Sequence, residues 1–262
     1  GVGLYSGLIV SSTLGATLVY TIPVALGIIN KDQQGDFATG IMIGLITVPA
    51  GAVAGGLSMG LDAVLLIRNT IPVALISGLV IAGFLILKDR VIRGFMLFAR
   101  ILRIITILSL GAAAFTYITH TPLINGLEPI ENAMGIVADM SIVQLGSIPL
   151  AYLFIYLLRR PLAAAGRLLH INDVAAAAIP ISCVNVLSAF MLIKDMDRRG
   201  VIISAAWYTN AICIITAHYA YTQSIDPRMI APMMAAKLTG GILAVILACI
   251  MAGNYKKVKE EC

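Results

Sequence analysis

What most constrains this chain is the recurrence of apolar runs, each about as long as the roughly 20 residues a helix needs to span a bilayer core. Short charged linkers join them, and the runs recur from the first residues to near the end of the 262. With 60% hydrophobic residues, 12% charged residues and a mean hydropathy of +0.97, an aqueous globule is excluded, since ordinary soluble domains carry about 25% charge. The polar-in, apolar-out alternation of a membrane barrel is absent from the sequence. The chain reads as all-α, a polytopic integral membrane protein in one domain over 1–262, with about seven to eight hydrophobic helical segments, some broken or re-entrant.

The formal charge of +5 resides in short linkers and a Lys-bearing tail, where it sets topology. No solvated basic domain exists to hold a nucleic acid. Cys183, Cys213, Cys249 and Cys262 lack CxxC or Cys/His ligand spacing and read as unbridged packing residues, so neither metal nor cofactor is expected. Residue 1 is Gly, and the first apolar run begins without a leader pattern, so the expectation is a chain that lacks an N-terminal portion.

The first span, Leu4 to Ile29, places Thr13, Thr17 and Thr21 four residues apart, with Pro23 just after. On an α-helix such residues share a face, and their hydroxyls either line a polar path or back-bond their own helix. Gly40 to Met59 follows, with glycines at 40, 44, 51, 55 and 56 for close helix packing and a local break expected at Thr47 and Pro49. Asp62 to Leu87 is the third span, with Arg68 near one end. The basic stretch Lys88 to Arg103 then leads along the interface to a fourth span, Ile104 to Ile118. The next linker has Glu128 and Glu131 and no Lys or Arg, which assigns it to the outside.

Met134 to Leu158 carries Asp139, an acid costing about 2.5 to 3.5 kcal/mol at a helix centre. It is either a shallow solvated acid or a cation-facing site residue. Gln144 and Pro149 add polarity deeper in the same run.

Asn172 to Gly200 is the most unusual stretch. Pro180 removes a backbone donor near the middle of its apolar run, and Asn185 places an amide there. Arg159, Arg160 and Arg167 precede it, while Lys194, Arg198 and Arg199 follow, and basic clusters favour one side of a membrane. A re-entrant or broken helix reconciles the two flanks, and such elements build substrate sites in transporters. A proline-kinked crossing helix is the simpler reading.

Val201 to Ser224 gathers Trp207, Tyr208, Asn210, His218, Tyr219 and Tyr221. That pattern is either an interfacial aromatic belt with a structural His or an aromatic and amide lining for a small amine. Asp226, Pro227 and Arg228 form a turn, and the last span, Ile230 to Gly253, holds Lys237, expected to neutralise a carboxylate or to snorkel outward. IINKDQQG and LIKDMDRRG form a short internal echo, each following an interrupted run, and paired interruptions mark a site between repeats.

In GLYSGLIV, TIPVALGII, ITVPAG, NDVAAAA, KDMDRRG and KLTGG, in order over essentially the whole chain, the sequence resembles the EutH-type ethanolamine permease family of bacterial ethanolamine-utilisation systems. The resemblance implies a multi-pass transporter of the bacterial inner membrane and a chain corresponding to the later part of such a permease. It implies further that Thr17, Thr21 and Pro23 form the family's hydroxyl-x-Pro turn. Asn185 matches the first residue of an Asn-Asn-Ile-Pro-like element, and His218 the His of an Asp-His pair. Val186, Ser188 and Ala217 depart from those patterns, and Asp139 is a candidate relocated counter-charge.

The function expected is transport of ethanolamine or a closely related small amine, by alternating access around the interrupted helices. Thr17, Thr21, Asn185 and His218 are the first candidates for the lining, with Tyr208, Asn210 and Asp139 after them. Partners are the amine substrate and the lipid bilayer, with a homo-oligomer left open. A transporter for another small cation or amino acid is the first alternative. A non-transporting scaffold or a membrane-embedded enzyme is the second, although no catalytic constellation stands out: His218 has no sequence-adjacent nucleophile and the serines lack a G-x-S-x-G setting.

Overall fold

The structure is a computed structural model describing residues 2–126 and 129–260; Glu128 and Cys262 lie outside them, as does the side chain of Gln144. The described residues are helical with no strand. Five of their helices are long and apolar enough to cross a membrane, and the chain is a polytopic membrane protein.

The first span, α1 (Tyr5–Ile28), is wound as a wide π-helix over Tyr5–Gly15 and Thr17–Thr21 and tightens to an α-helix at Ile22. Pro23 falls at the start of the tight part, where its missing N–H withdraws a bond from the preceding turn. The wide pitch alters the expected threonine stripe, because residues four apart no longer complete one turn. Thr13 bonds back to Ile9 and Val10, while Thr17 reaches another helix.

α2 (Gln34–Ser58) runs unbroken through Pro49, so the break expected there does not occur. Its small residues set the packing. Gly40 and Gly44 lie against α8 (Arg198–Ala211), and Gly51 and Gly55 against α10 (Ile230–Glu260). A Cβ on Gly51 would stand 2.6 Å from the Ala236 carbonyl, so glycine here lets two backbones approach as no other residue would. α2, α8 and α10 form the centre of the molecule, with α1 packed on them.

α3 (Ala63–Leu87) and α4 (Arg90–Thr119) are joined at Leu87, whose backbone leaves the helical region (φ −127°, ψ 32°). Phe84 and Phe95 stack across that corner at 6.0 Å, so α4 folds back at once. The basic stretch is therefore the first half of a helix beginning at Arg90. None of the apolar stretch of α4 is buried. α5 (Ile130–Leu169) leads to the segment of special interest.

That segment comprises α6 (Asp173–Val184) and α7 (Val186–Leu192), divided at Asn185. α6 continues through Pro180, and the interruption comes five residues later. Its two ends meet. The Asn172 N–H donates to Asp197 Oδ1 at 2.9 Å, and the Asn172 amide to the Asp195 carbonyl at 2.9 Å. The chain thus enters through α6 and returns through α7 to the end it left, which is the re-entrant alternative.

The same end collects the basic residues. Gln33 donates to the Ile193 carbonyl at 2.8 Å, Arg198 pairs with Asp36 at 2.9 Å, and Arg199 reaches the carbonyls of Leu169 and Cys249. The two echoing stretches therefore touch each other. At the opposite end the Tyr5 and Thr70 hydroxyls stand 3.3 Å apart, and Tyr5, Leu66 and Met229 share a cluster. There Arg228 beside Asp226, in the turn between α9 (Ala217–Ile225) and α10, holds the Asp226 carboxyl below its usual range.

Candidate functional site

Two interrupted helices cross at their interruptions. One break is Asn185, extended at φ −138° and ψ 106°. The other separates α8 from α9: Ile212 is extended, Cys213 lies at φ 49°, and Thr216 has φ −127° and ψ −98°. The Cys213 N–H donates to the Ser182 carbonyl at 2.8 Å and the Ile215 N–H to the Cys183 carbonyl at 3.2 Å. The Thr216 hydroxyl donates to the Val184 carbonyl at 2.6 Å. Backbone groups freed by unwinding one helix are thus satisfied by the other, a condition for irregular backbone at membrane depth.

Helix direction gives the crossing its electrostatics. α6 ends at Val184 and α8 at Ala211, so two carbonyl ends converge there. Each carries roughly half a negative charge and offers acceptors to an ammonium, while the N-termini of α7 and α9, which begin at the same breaks, carry the opposite sign and offer donors. His218 adds a ring at the same place, its Nδ1 2.9 Å from the Ile212 carbonyl. A carbonyl only accepts, so Nδ1 carries the proton and, in the neutral ring, Nε2 is left as an acceptor.

One turn before the break lies a buried polar face. The Thr17 hydroxyl donates to the Thr209 carbonyl at 2.6 Å. The Asn210 amide donates to the Gly44 carbonyl and to Thr47 Oγ1, both at 3.1 Å, and Thr47 Oγ1 stands 3.0 Å from the Gly240 carbonyl. Thr21 Oγ1 and Asn210 Oδ1 are buried with no hydrogen-bond partner among the described residues, and the buried Ser204 and Tyr208 hydroxyls neighbour each other without a well-aligned bond. Unpaired buried polar atoms cost about 1 to 3 kcal/mol each, so they mark where a polar guest is cheapest to admit.

The structure brings most of the expected residues to this region, in differing roles. Tyr208 and Asn210 are fully buried on α8, and Thr17 joins α1 to that helix. Thr21 is buried on α1, and His218 begins α9 beside the break. Asn185 forms the break itself, yet its side chain is exposed and caps α7 by accepting from the Ser188 N–H at 3.1 Å. Asp139 stands apart, exposed on α5 without a hydrogen bond or ion pair among the described residues.

Several residues escaped sequence reading. The second break falls in Ile212 to Thr216, where no Pro or Gly announces it. Ser182 accepts from the Trp207 indole at 3.2 Å, so that aromatic is a tie between broken helices rather than a belt anchor. Among the described residues Lys237 meets no carboxylate, and it does not snorkel. It is fully buried, and its Nζ donates to the Ser12 carbonyl at 2.6 Å.

A family model described as ethanolamine utilisation protein, EutH, matches residues 1–251. The "Probable ethanolamine permease EutH" of Listeria monocytogenes serotype 1/2a is 35% identical over 262 residues, covering 99% of this chain and 70% of that protein. Its namesake in Salmonella typhimurium is 33% identical over 283 residues, covering 98% and 69%. The one in Escherichia coli K12 is 33% identical over 271 residues, covering 95% and 66%. No solved structure matches.

Proposed function

We propose, on the premise that this chain belongs to the EutH family of ethanolamine utilisation proteins, that it carries ethanolamine or a closely related small amine across the bacterial inner membrane. The crossed helix breaks are the observation that carries this reading. An ethanolamine cation needs acceptors for its ammonium and a donor or acceptor for its hydroxyl. The carbonyl ends of α6 and α8 suit the first. Tyr208, Asn210 and Thr21, buried close by with unpaired polar atoms, suit the second.

The site we assign consists of Thr21, Tyr208, Asn210 and His218 around the break carbonyls, with Thr17 and Asn185 holding the frame. Asp139 falls outside it. The construction supports alternating access as the mechanism we propose: short half-helices meeting at unwound backbone would tilt against the continuous α2 and α10. The basic end, with Lys31, Lys194, Arg198 and Arg199, faces the cytoplasm.

Uptake of labelled ethanolamine into cells that lack their own permease tests this. Expression is expected to restore uptake. Thr216→Val, which removes the hydroxyl joining the two breaks, is expected to lower it about tenfold, the equivalent of about 1.4 kcal/mol. Uptake of an amino acid or of an unrelated cation, in place of ethanolamine and its close relatives, would overturn the substrate, and no uptake of any of them would overturn transport.

A further inference from the structure

Lys237 is a buried charged group of the central helices that the site above leaves unused. It lies at 0% exposure about two turns into an apolar helix, among the largest fully buried side chains. An ammonium can donate three hydrogen bonds, and only the contact to the Ser12 carbonyl on α1 is formed among the described residues. The titratable groups within electrostatic range are Cys213 at the α8–α9 break, Cys183 at the end of α6 and His218 on α9. No carboxylate acts on it among the described residues. An uncompensated cation at membrane depth costs several kcal/mol, and proteins retain such residues mainly where charge moves.

Two features connect it to the crossing. Its electrostatic neighbours are the residues that border the two breaks, and its single hydrogen bond is to α1 where that helix is π-wound. A second cation brought to the carbonyl ends of α6 and α8 would meet the like charge of Lys237. Two such charges in one low-dielectric space repel strongly, and loss of the Lys237 proton relieves that repulsion while the substrate keeps its charge.

We propose that Lys237 is a proton-exchange site that makes transport of the amine cation electroneutral. This rests on the transport reading above. When the substrate cation arrives from outside, the Lys237 ammonium releases one proton to the water on that side and becomes the neutral amine. When the substrate leaves to the cytoplasm, the amine takes one proton from the cytoplasmic water and the protein returns. One positive charge moves inward as substrate and one outward as a proton, so no net charge crosses and no bond other than N–H forms or breaks.

The test uses purified protein in liposomes, with labelled ethanolamine, an imposed pH gradient or a potassium diffusion potential set with valinomycin, and protein-free vesicles to subtract passive leak. Wild-type uptake is expected to rise about fivefold or more with an acidic interior and to ignore an inside-negative potential of about 100 mV. Lys237→Gln keeps a donor for the Ser12 carbonyl without the titrating amine. It is expected to reverse both responses, losing the dependence on the pH gradient and gaining at least about fivefold from the potential, because its cycle moves one net charge. Lys237→Arg is expected to fold and yet fail in net uptake, since a guanidinium does not give up its proton. A purely structural cation would instead be rescued by Arg.

Lys237→Met serves if the Gln variant is not monodisperse, with the same expectations. A monodisperse neutral variant that keeps the wild-type pH response, or exchanges no substrate in counterflow, overturns the proton-exchange role. Wild-type protein that moves no ethanolamine in any arm overturns the transport reading instead.

Discussion

Gly240 shows how one atom governs the site. A Cβ there would collide with Asn210 Oδ1, so the amide that bridges α8 to Gly44 and Thr47 of α2 holds its position only because α10 offers a bare backbone. Gly240→Ala is expected to displace Asn210 and to cost about 1 to 3 kcal/mol, as overpacking does, seen as a lower unfolding temperature of the detergent-purified protein. Asn210→Ala relieves that clash, so the double variant should lose less than the two single losses combined. Additive losses would show that the two side chains do not meet. Gly240 was legible in sequence only as one more small residue in an apolar run. Asn210 stood out as an amide at membrane depth, yet its partners on α2 lie 163 and 166 positions away.

At the scale of the element, both interruptions depend on contacts beyond the local sequence, though unequally. Asn185 has its own local reason to break a helix: an Asn side chain competes for nearby backbone N–H groups and caps the helix that follows. Asn185→Ala is expected to cost about 0.5 to 2 kcal/mol, with Asn185→Ser recovering most of it. Thermal denaturation of the two variants measures this, and equal losses would show that capping is not what the amide supplies. The break at Ile212 to Thr216 has no such reason. Ile, Cys, Ile, Ile and Thr lower helix propensity only slightly, and the stretch opens because the carbonyls of Ser182 and Cys183 replace the bonds a continuous helix would have made. The uninterrupted α2 makes the converse point, because Pro49, a strong local breaker, is overridden by packing on both faces.

At the scale of the molecule, the ties of Asn172 to Asp197, of Arg198 to Asp36 and of Arg199 to the Leu169 and Cys249 carbonyls lie at one end. Sided labelling of single cysteines, introduced after the native ones are replaced by Ser, checks the topology. Asp173→Cys and Asp195→Cys are expected to react from the same side, and Asp62→Cys and Arg228→Cys from the other. Labelling of the first two from opposite sides would mean that Asn172 to Gly200 crosses the membrane.

The sequence by itself determined the solvent and the helical class, and its placing of Lys and Arg predicts the sidedness. Apolar run length, low charge and the placing of Lys and Arg act residue by residue against water and lipid and need no partner to be read. It also exposed the flanking-charge conflict that a returning segment resolves. Tertiary structure alone decided where the second helix opens, that Trp207 ties Ser182, that Asp139 stands apart, and that Lys237 is sealed against Ser12. Each of those is settled by hydrogen bonds and burial between residues tens to hundreds of positions apart, and no local propensity encodes which distant carbonyl will be within reach.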